Sequence, residues 1–216
     1  MSQSLRPDPF FIADHVALDF LNSICAPADV EYEWLENGED LLDWLTKSEL
    51  ISEETANACR ASFPSAALDK TAEKARTLRE ALRPLITESG GAALSIDELG
   101  VLEDVNALLA KDAQVRRIDL VSGTPPDTAT SNLCWQTVRH YQKADDLLLP
   151  IAEAIGHLVT GTDFTYVKNC EGPTCPLWFN DISKNHKRRW CSMSVCGNRA
   201  KAAAFRERQR KQRTDQ

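Results

Sequence analysis

Apolar positions along this chain recur mostly at helical spacing. In residues 15–24 they fall at Val16, Phe20 and Ile24, with Ala17 and Leu21 beside them, which predicts a helix with one apolar face. Gly38 opens a second segment of this kind, carrying Leu41, Leu42, Trp44 and Leu45, and a shorter one covers about residues 52–62. The longest candidate covers residues 65–89, where Leu68, Ala72, Ala75, Leu78, Leu82 and Leu85 form a stripe. Pro84 predicts a bend in it and Gly90-Gly91 a stop. Ser95 followed by Glu98 has the capping-box pattern, for a helix reaching Ala110. Residues 114–122 and 133–141 read instead as strands, an antiparallel pair joined by a Gly-Thr-Pro-Pro turn and a Ser/Thr-rich stretch. A last apolar helix is predicted over 145–159. The Phe10-Phe11-Ile12 lead is compatible with a short strand, and residues 28–37 with a strand or loop.

The fold class expected from this pattern is α+β. A mainly helical N-terminal domain, residues 1–165, carries a small antiparallel sheet and is long enough to bury its own core. No run of about 18 apolar residues occurs, so no membrane span is expected. Cys25, Cys59 and Cys134 are scattered through this part and are expected in its core.

The last fifty or so residues, 166–216, depart from the pattern and change the picture. They hold two matched cysteine pairs, Cys170 with Cys175 and Cys191 with Cys196. Gly172-Pro173 lies inside the first pair and favours a tight turn. Such pairs enclose one metal ion in a closed shell of four thiolates, so the site is expected to be structural, with one Zn(II). Iron in the same cage is the alternative metal. Disulfides are the competing reading of the cysteines, but the N-terminus has no secretory pattern, which points to a reducing, cytoplasmic setting. Leu177-Trp178-Phe179 and Arg188-Arg189-Trp190 read as two strands of a hairpin, and the alanine-rich stretch after Ser194 reads as a helix. The module is expected to be a treble-clef or zinc-ribbon-like finger ending in a basic helix. Zinc should supply its folding energy, so loss of a ligand is expected to unfold the finger and spare the body.

Charge is divided unevenly. The chain has formal net charge −7, yet residues 168–216 carry 12 Lys or Arg against 4 Asp or Glu, leaving residues 1–167 at −15. A basic tail on an acidic body is the footprint of polyanion binding. Lys187, Arg188 and Arg189 on the hairpin, with Asn198, Arg199, Lys201, Arg206 and Arg210 on the helix, are the candidate nucleic-acid contacts. Arg199, Arg206 and Arg210 share one helical stripe, while Ala202 and Phe205 are expected to pack on the hairpin. Asn198 and Arg199 have a second reading, as supports of the metal site.

The segments NCEGPTC and FNDISKNHKRRWCSMSVCGNRAKAAAFRER resemble the zinc finger named after its Cys-Gly-Asn-Arg tetrapeptide, here Cys196-Gly197-Asn198-Arg199. HVALDFLNS, DLLDWL and LREALRPLI are similar to the ABATE-type N-terminal domain that precedes that finger. The resemblance implies a bacterial, stress-induced transcription regulator: a zinc-dependent DNA-binding module behind a domain that senses a small-molecule effector or forms a homodimer. Asp19, Asn22, Trp44 and Arg79 fall in the matching segments and are candidates to line an effector pocket. The competing reading makes Asp19 and Arg79 an ion pair and Trp44 a core residue. No hydrolase, phosphate-loop or zinc-protease motif occurs, so the chain is not expected to be an enzyme. A zinc-stabilised RNA-binding or protein–protein adaptor is the alternative function.

Overall fold

The computed structural model describes residues 6–25, 31–94, 100–120 and 133–214. Helix α1 (Val16–Leu21) is capped by His15, whose Nδ1 accepts from the Ala17 N–H. It is shorter than its apolar spacing suggests, because Ile24 leaves it for a two-residue strand β1 (Ile24–Cys25) paired antiparallel with β2 (Tyr32–Glu33). The Phe10–Ile12 lead forms no strand. The backbone N–H groups of Ile12 and Ala13 donate to the Asp19 carboxylate at 2.9 and 3.0 Å, so no neighbouring strand is needed to satisfy them.

Helices α2 (Gly38–Lys47) and α3 (Glu53–Ser62) start where polar caps stand: Asn37 accepts from Asp40 N, and Ser52 from Thr55 N. Helix α4 (Ser65–Ser89) contains Pro84 yet runs on to Ser89, and its predicted stripe is buried. Gly90 ends it, and Gly91 has φ +83°, a left-handed conformation that glycine adopts without strain. Helix α5 (Gly100–Leu109) follows; the predicted Ser95–Glu98 cap lies outside the described residues. Strands β3 (Gln114–Leu120) and β4 (Leu133–Arg139) form the expected antiparallel pair, with the predicted turn again outside the described residues. A 3-10 turn (Ala144–Leu148) leads into helix α6 (Leu149–Gly161).

The last segment begins with strand β5 (Val167–Asn169), antiparallel to β6 (Trp178–Asn180). The hairpin therefore brackets the first cysteine pair, and not residues 177–190 as the sequence suggested. Residues 188–190 form no strand; Arg189 O accepts a hydrogen bond from Glu171 N at 2.9 Å. A widened π-type turn (Met193–Gly197) then opens helix α7 (Asn198–Thr214).

The described strands make three separate two-stranded sheets around a helical body. Helix α1 packs against α4, α6 and β6. One apolar core runs from Leu18 and Phe20 through Trp44, Leu82 and Ile155 to Val167, Leu177 and Phe179, and on to Cys170, Cys191 and Cys196. The finger is thus packed onto the body rather than tethered beside it. Helix α7 is the exception. Residues 201–213 are all exposed, Ala202 and Phe205 included, so the expected packing of those two on the hairpin does not occur. The hairpin's apolar side is already occupied by the body.

Candidate metal centre and basic helix

The four cysteines Cys170, Cys175, Cys191 and Cys196 converge, with their Sγ atoms all within 4.8 Å of one another. Strand β5 delivers Cys170, whose N–H donates to Leu177 O at 2.9 Å and closes the first loop. Inside it, Cys175 N donates to Gly172 O at 3.0 Å to make the turn. A Cβ at Gly172 would stand 3.0 Å from Cys175 Cβ and 3.3 Å from Cys196 Sγ, so the turn needs a residue without one. Cys191 follows the irregular segment 188–190, and the π-type turn carries Cys196. A Cβ on Gly197 would meet Met193 Sδ at 2.2 Å, the end of a flexible side chain that is 54% exposed.

The sulfur spacing tests the metal. Four thiolates at about 2.3 Å from one zinc ion in a tetrahedron stand about 3.8 Å apart. Cys175 Sγ lies 3.7 Å and Cys196 Sγ 3.6 Å from Cys191 Sγ. A disulfide would need about 2.05 Å, so the cysteines are free thiols and the disulfide reading falls. The N–H groups of Cys191 and Gly172 point at Cys170 Sγ, at 3.3 and 3.5 Å, and such donors stabilise a thiolate. The Cys191 thiol beside it lowers Cys175, while burial raises Cys196 and the neighbouring Cys175 raises Cys191. The cluster fits one metal ion with all four ligand positions filled by protein, as a structural zinc site requires.

A set of polar contacts fixes this centre to the body. Asn22 Nδ2 donates to Trp178 O at 2.8 Å and Trp178 N donates back to Asn22 Oδ1 at 3.0 Å. Asn180 N donates to Ala13 O at 2.8 Å. Arg188 lies in this seam. Its guanidinium pairs with Asp14, donates to Ile12 O at 2.7 Å and Cys191 O at 2.6 Å, and sits 4.2 Å from the Phe179 ring centroid. Arg188 is therefore a clasp between body and finger, not a surface cation. Asp181, 1% exposed, organises the loop before it by accepting from Lys168 Nζ, Ser183 N and Oγ, and Arg188 N. Sequence reasoning missed Asp181, although Asp with Ser two residues on is the pattern of an Asx turn.

The other candidate contacts divide. Lys187 is exposed on the loop, and Arg189 is exposed but paired with Glu171 at 2.6 Å and stacked over Trp190. Asn198 Nδ2 donates to Ser194 O at 3.1 Å and so braces the π-type turn. Arg199 is exposed and lines an apolar cleft of about 160 Å³ beside the cage, with Phe10, Ile12 and Val195. Lys201, Arg206 and Arg210 are exposed along α7.

The expected effector pocket is not assembled. Asp19 ties the N-terminal lead, Asn22 holds Trp178, and Trp44 is core, packed between Phe11 and Phe20. Arg79, 2% exposed, is saturated by Glu33 at 2.8 and 2.6 Å, by Glu80 at 2.9 Å and by Ser23 at 2.9 Å. It does not pair with Asp19. Glu33 was passed over because a salt-bridge partner 46 residues away leaves no pattern, whereas Glu80 is the adjacent residue.

Among the described residues no helix is long and apolar enough to cross a membrane. Compared with family models, residues 166–209 match the CGNR zinc finger, and residues 14–162 match the ABATE family, described as "Putative stress-induced transcription regulator". No curated protein matches the chain.

Proposed function

The chain belongs to the ABATE family and ends in a CGNR zinc finger, and from that premise we propose that it is a zinc-dependent, DNA-binding transcription regulator of the cytoplasm. In this reading residues 1–165 sense an effector or mediate dimerisation, residues 166–216 meet DNA, and the role is binding rather than catalysis. The observation that carries it is α7. Seven of its 17 residues are Lys or Arg against one Glu, and it stands exposed on every side. Residues 201–213 of it are exposed, so this strongly basic surface is open to a partner of opposite charge. At ~1.5 Å per residue it extends about 25 Å, and an α-helix, about 10–12 Å across with its side chains, enters the ~12 Å major groove. Arg199, Arg206 and Arg210 would face one way along it. The cage and seam hold its root rigid, which is what a reading helix needs.

Phe205, 57% exposed on the same helix, supports the second reading, an adaptor that docks RNA or an acidic protein through α7. Selection from a random DNA pool with zinc-loaded full-length protein separates the two. One enriched motif is expected. Arg199→Ala with Arg206→Ala should lower the slope of log affinity against log salt by about 1 per lost phosphate contact. Arg188→Ala should leave that slope unchanged and lower the melting temperature instead. Absence of any enriched motif would overturn the regulator reading in favour of the adaptor.

A further inference from the structure

A cleft of about 160 Å³ opens between the N-terminal lead and the finger, beside the metal centre. Phe10, Ile12, Cys25 and Leu177 form its buried and half-buried wall, and Pro173 and Val195 its exposed rim. The cleft is not the metal position. An ion bound at about 2.3 Å from each sulfur sits closer than any uncoordinated atom can come, so a space that admits water-sized molecules lies outside the cage. Arg199 is the one charged side chain of the described lining, and its guanidinium has no ion pair or hydrogen bond among the described residues. Its neighbours differ: Arg188 is paired with Asp14, and Arg189 with Glu171. Small-molecule sites combine an apolar lining with a few placed polar groups, and this cleft has that composition on a small scale.

We propose that this cleft binds a small, uncharged aromatic molecule of about one six-membered ring. Size sets the upper limit: an apolar cavity of about 150 Å³ stays dry and takes up benzene. Charge chooses the type. Four thiolates around one divalent ion leave the cage side negative, whereas Arg199 is positive. A carboxylate in the cleft would be repelled by the sulfurs and an ammonium by Arg199, so either ionic ligand is penalised on one side. An aromatic ring suits both sides. Its face is negative and attracts a guanidinium within about 6 Å, and its positive edge lies well against sulfur. A saturated ring of the same bulk would gain only burial. The position gives the site a consequence. Phe10, Ile12 and Cys25 belong to the body, whereas Pro173, Leu177, Val195 and Arg199 belong to the finger, the last two on the π-type turn and the first turn of α7. A bound ring would therefore join body to finger at the root of the basic helix, and through the regulator reading it would be the effector. Binding of the ring does not depend on that reading.

The test is ligand-observed fluorine NMR on zinc-loaded full-length protein without DNA, with fluorobenzene, 4-fluorobenzoate and 4-fluorobenzylammonium as probes. Saturable binding of fluorobenzene is expected, with a dissociation constant below about 1 mM, and both charged probes should bind at least about tenfold more weakly. Arg199→Ala should weaken fluorobenzene about two- to fivefold, the size of an exposed cation–π contact. It should also relieve the penalty on the ammonium probe, which mere loosening of the cleft would not do. Val195→Trp and Thr174→Trp, which fill the mouth from opposite loops, should abolish binding with zinc content and far-UV signal unchanged. Arg199 is exposed, so its variant keeps the test decisive if either tryptophan disturbs its turn. Fluorobenzene that fails to saturate by about 5 mM overturns the proposal. So does a charged probe that binds as tightly as the neutral one, or a zinc-loaded tryptophan variant that binds like wild type. DNA selection with and without fluorobenzene is scored separately: a ring that binds and leaves DNA binding unaltered removes the effector role alone.

Discussion

Asp19 shows how one side chain can be placed well and read wrongly. The sequence put it on the first helix, where it is, and left it between a pocket and an ion pair with Arg79, whereas it accepts from the backbone of the N-terminal lead. Burial raises its carboxyl to about 6, against the two backbone donors that favour ionisation. Because the folded value lies above the free one of about 3.9, the native state binds the extra proton between those values. Its contribution is therefore fully present below about pH 4 and is lost as pH rises through 6, a change of about 3 kcal/mol in all. Between pH 5 and 7.5 wild type should lose about 1 kcal/mol from this source. Asp19→Asn, which keeps an oxygen for both N–H groups, should lack that loss in urea unfolding with zinc present. Equal pH slopes for the two proteins would remove Asp19 as the titrating group. Arg188 was misread for a related reason. Charge and position made it a DNA candidate, and nothing local announces that Asp14, far away in sequence, will claim it.

At the scale of elements, what was legible is what periodicity encodes. Helix α4 appears with its stripe of Leu68, Ala72, Ala75, Leu78, Leu82 and Leu85 buried, because burial at spacings of three and four leaves a repeating mark. The finger's hairpin was misassigned because three-residue strands have no period to read, and residues 167–169 and 178–180 pair only once the cysteine loop closes between them. The seam left one mark that passed as a simple helix stop. Gly90 lies under Trp178: a Cβ there would come within 2.2 Å of the indole Cζ3 and 2.8 Å of Ile86 O. Gly90→Ala should force the ring, and with it β6, away from α4, at a cost of about 1–3 kcal/mol. The urea midpoint should fall, with the slope of the transition unchanged. Gly100→Ala, whose Cβ meets nothing within 4 Å among the described residues, is the matched control. Equal effects of the two would mean that Trp178 does not press on Gly90.

Across the whole molecule, the cysteine pairs made the metal centre readable, because ligand chemistry depends on residue type and short spacing. The attachment of that centre was not readable, because it rests on contacts between α1 and β6 more than a hundred and fifty residues apart. This changes what zinc does. A finger hung on a linker would unfold alone when stripped of metal, and the body would melt as before. Here Asn22 is 4% exposed and its side-chain amide is engaged by Trp178, while Ala13 O and Ile12 O are engaged by Asn180 and Arg188. If the finger unravels, these groups lose their partners, at about 1 kcal/mol each, and the core surface beneath Phe179 is laid open. A few kcal/mol in a chain of this size corresponds to on the order of 5–10 °C. Chelation should therefore lower the melting of the body itself by that much, and Cys170→Ser should do the same without chelator. Re-addition of zinc should restore the first and not the second. Body melting that ignores the metal, followed by far-UV signal while proteolysis removes residues 168–216, would show that the seam contributes no stability and that the two parts fold independently.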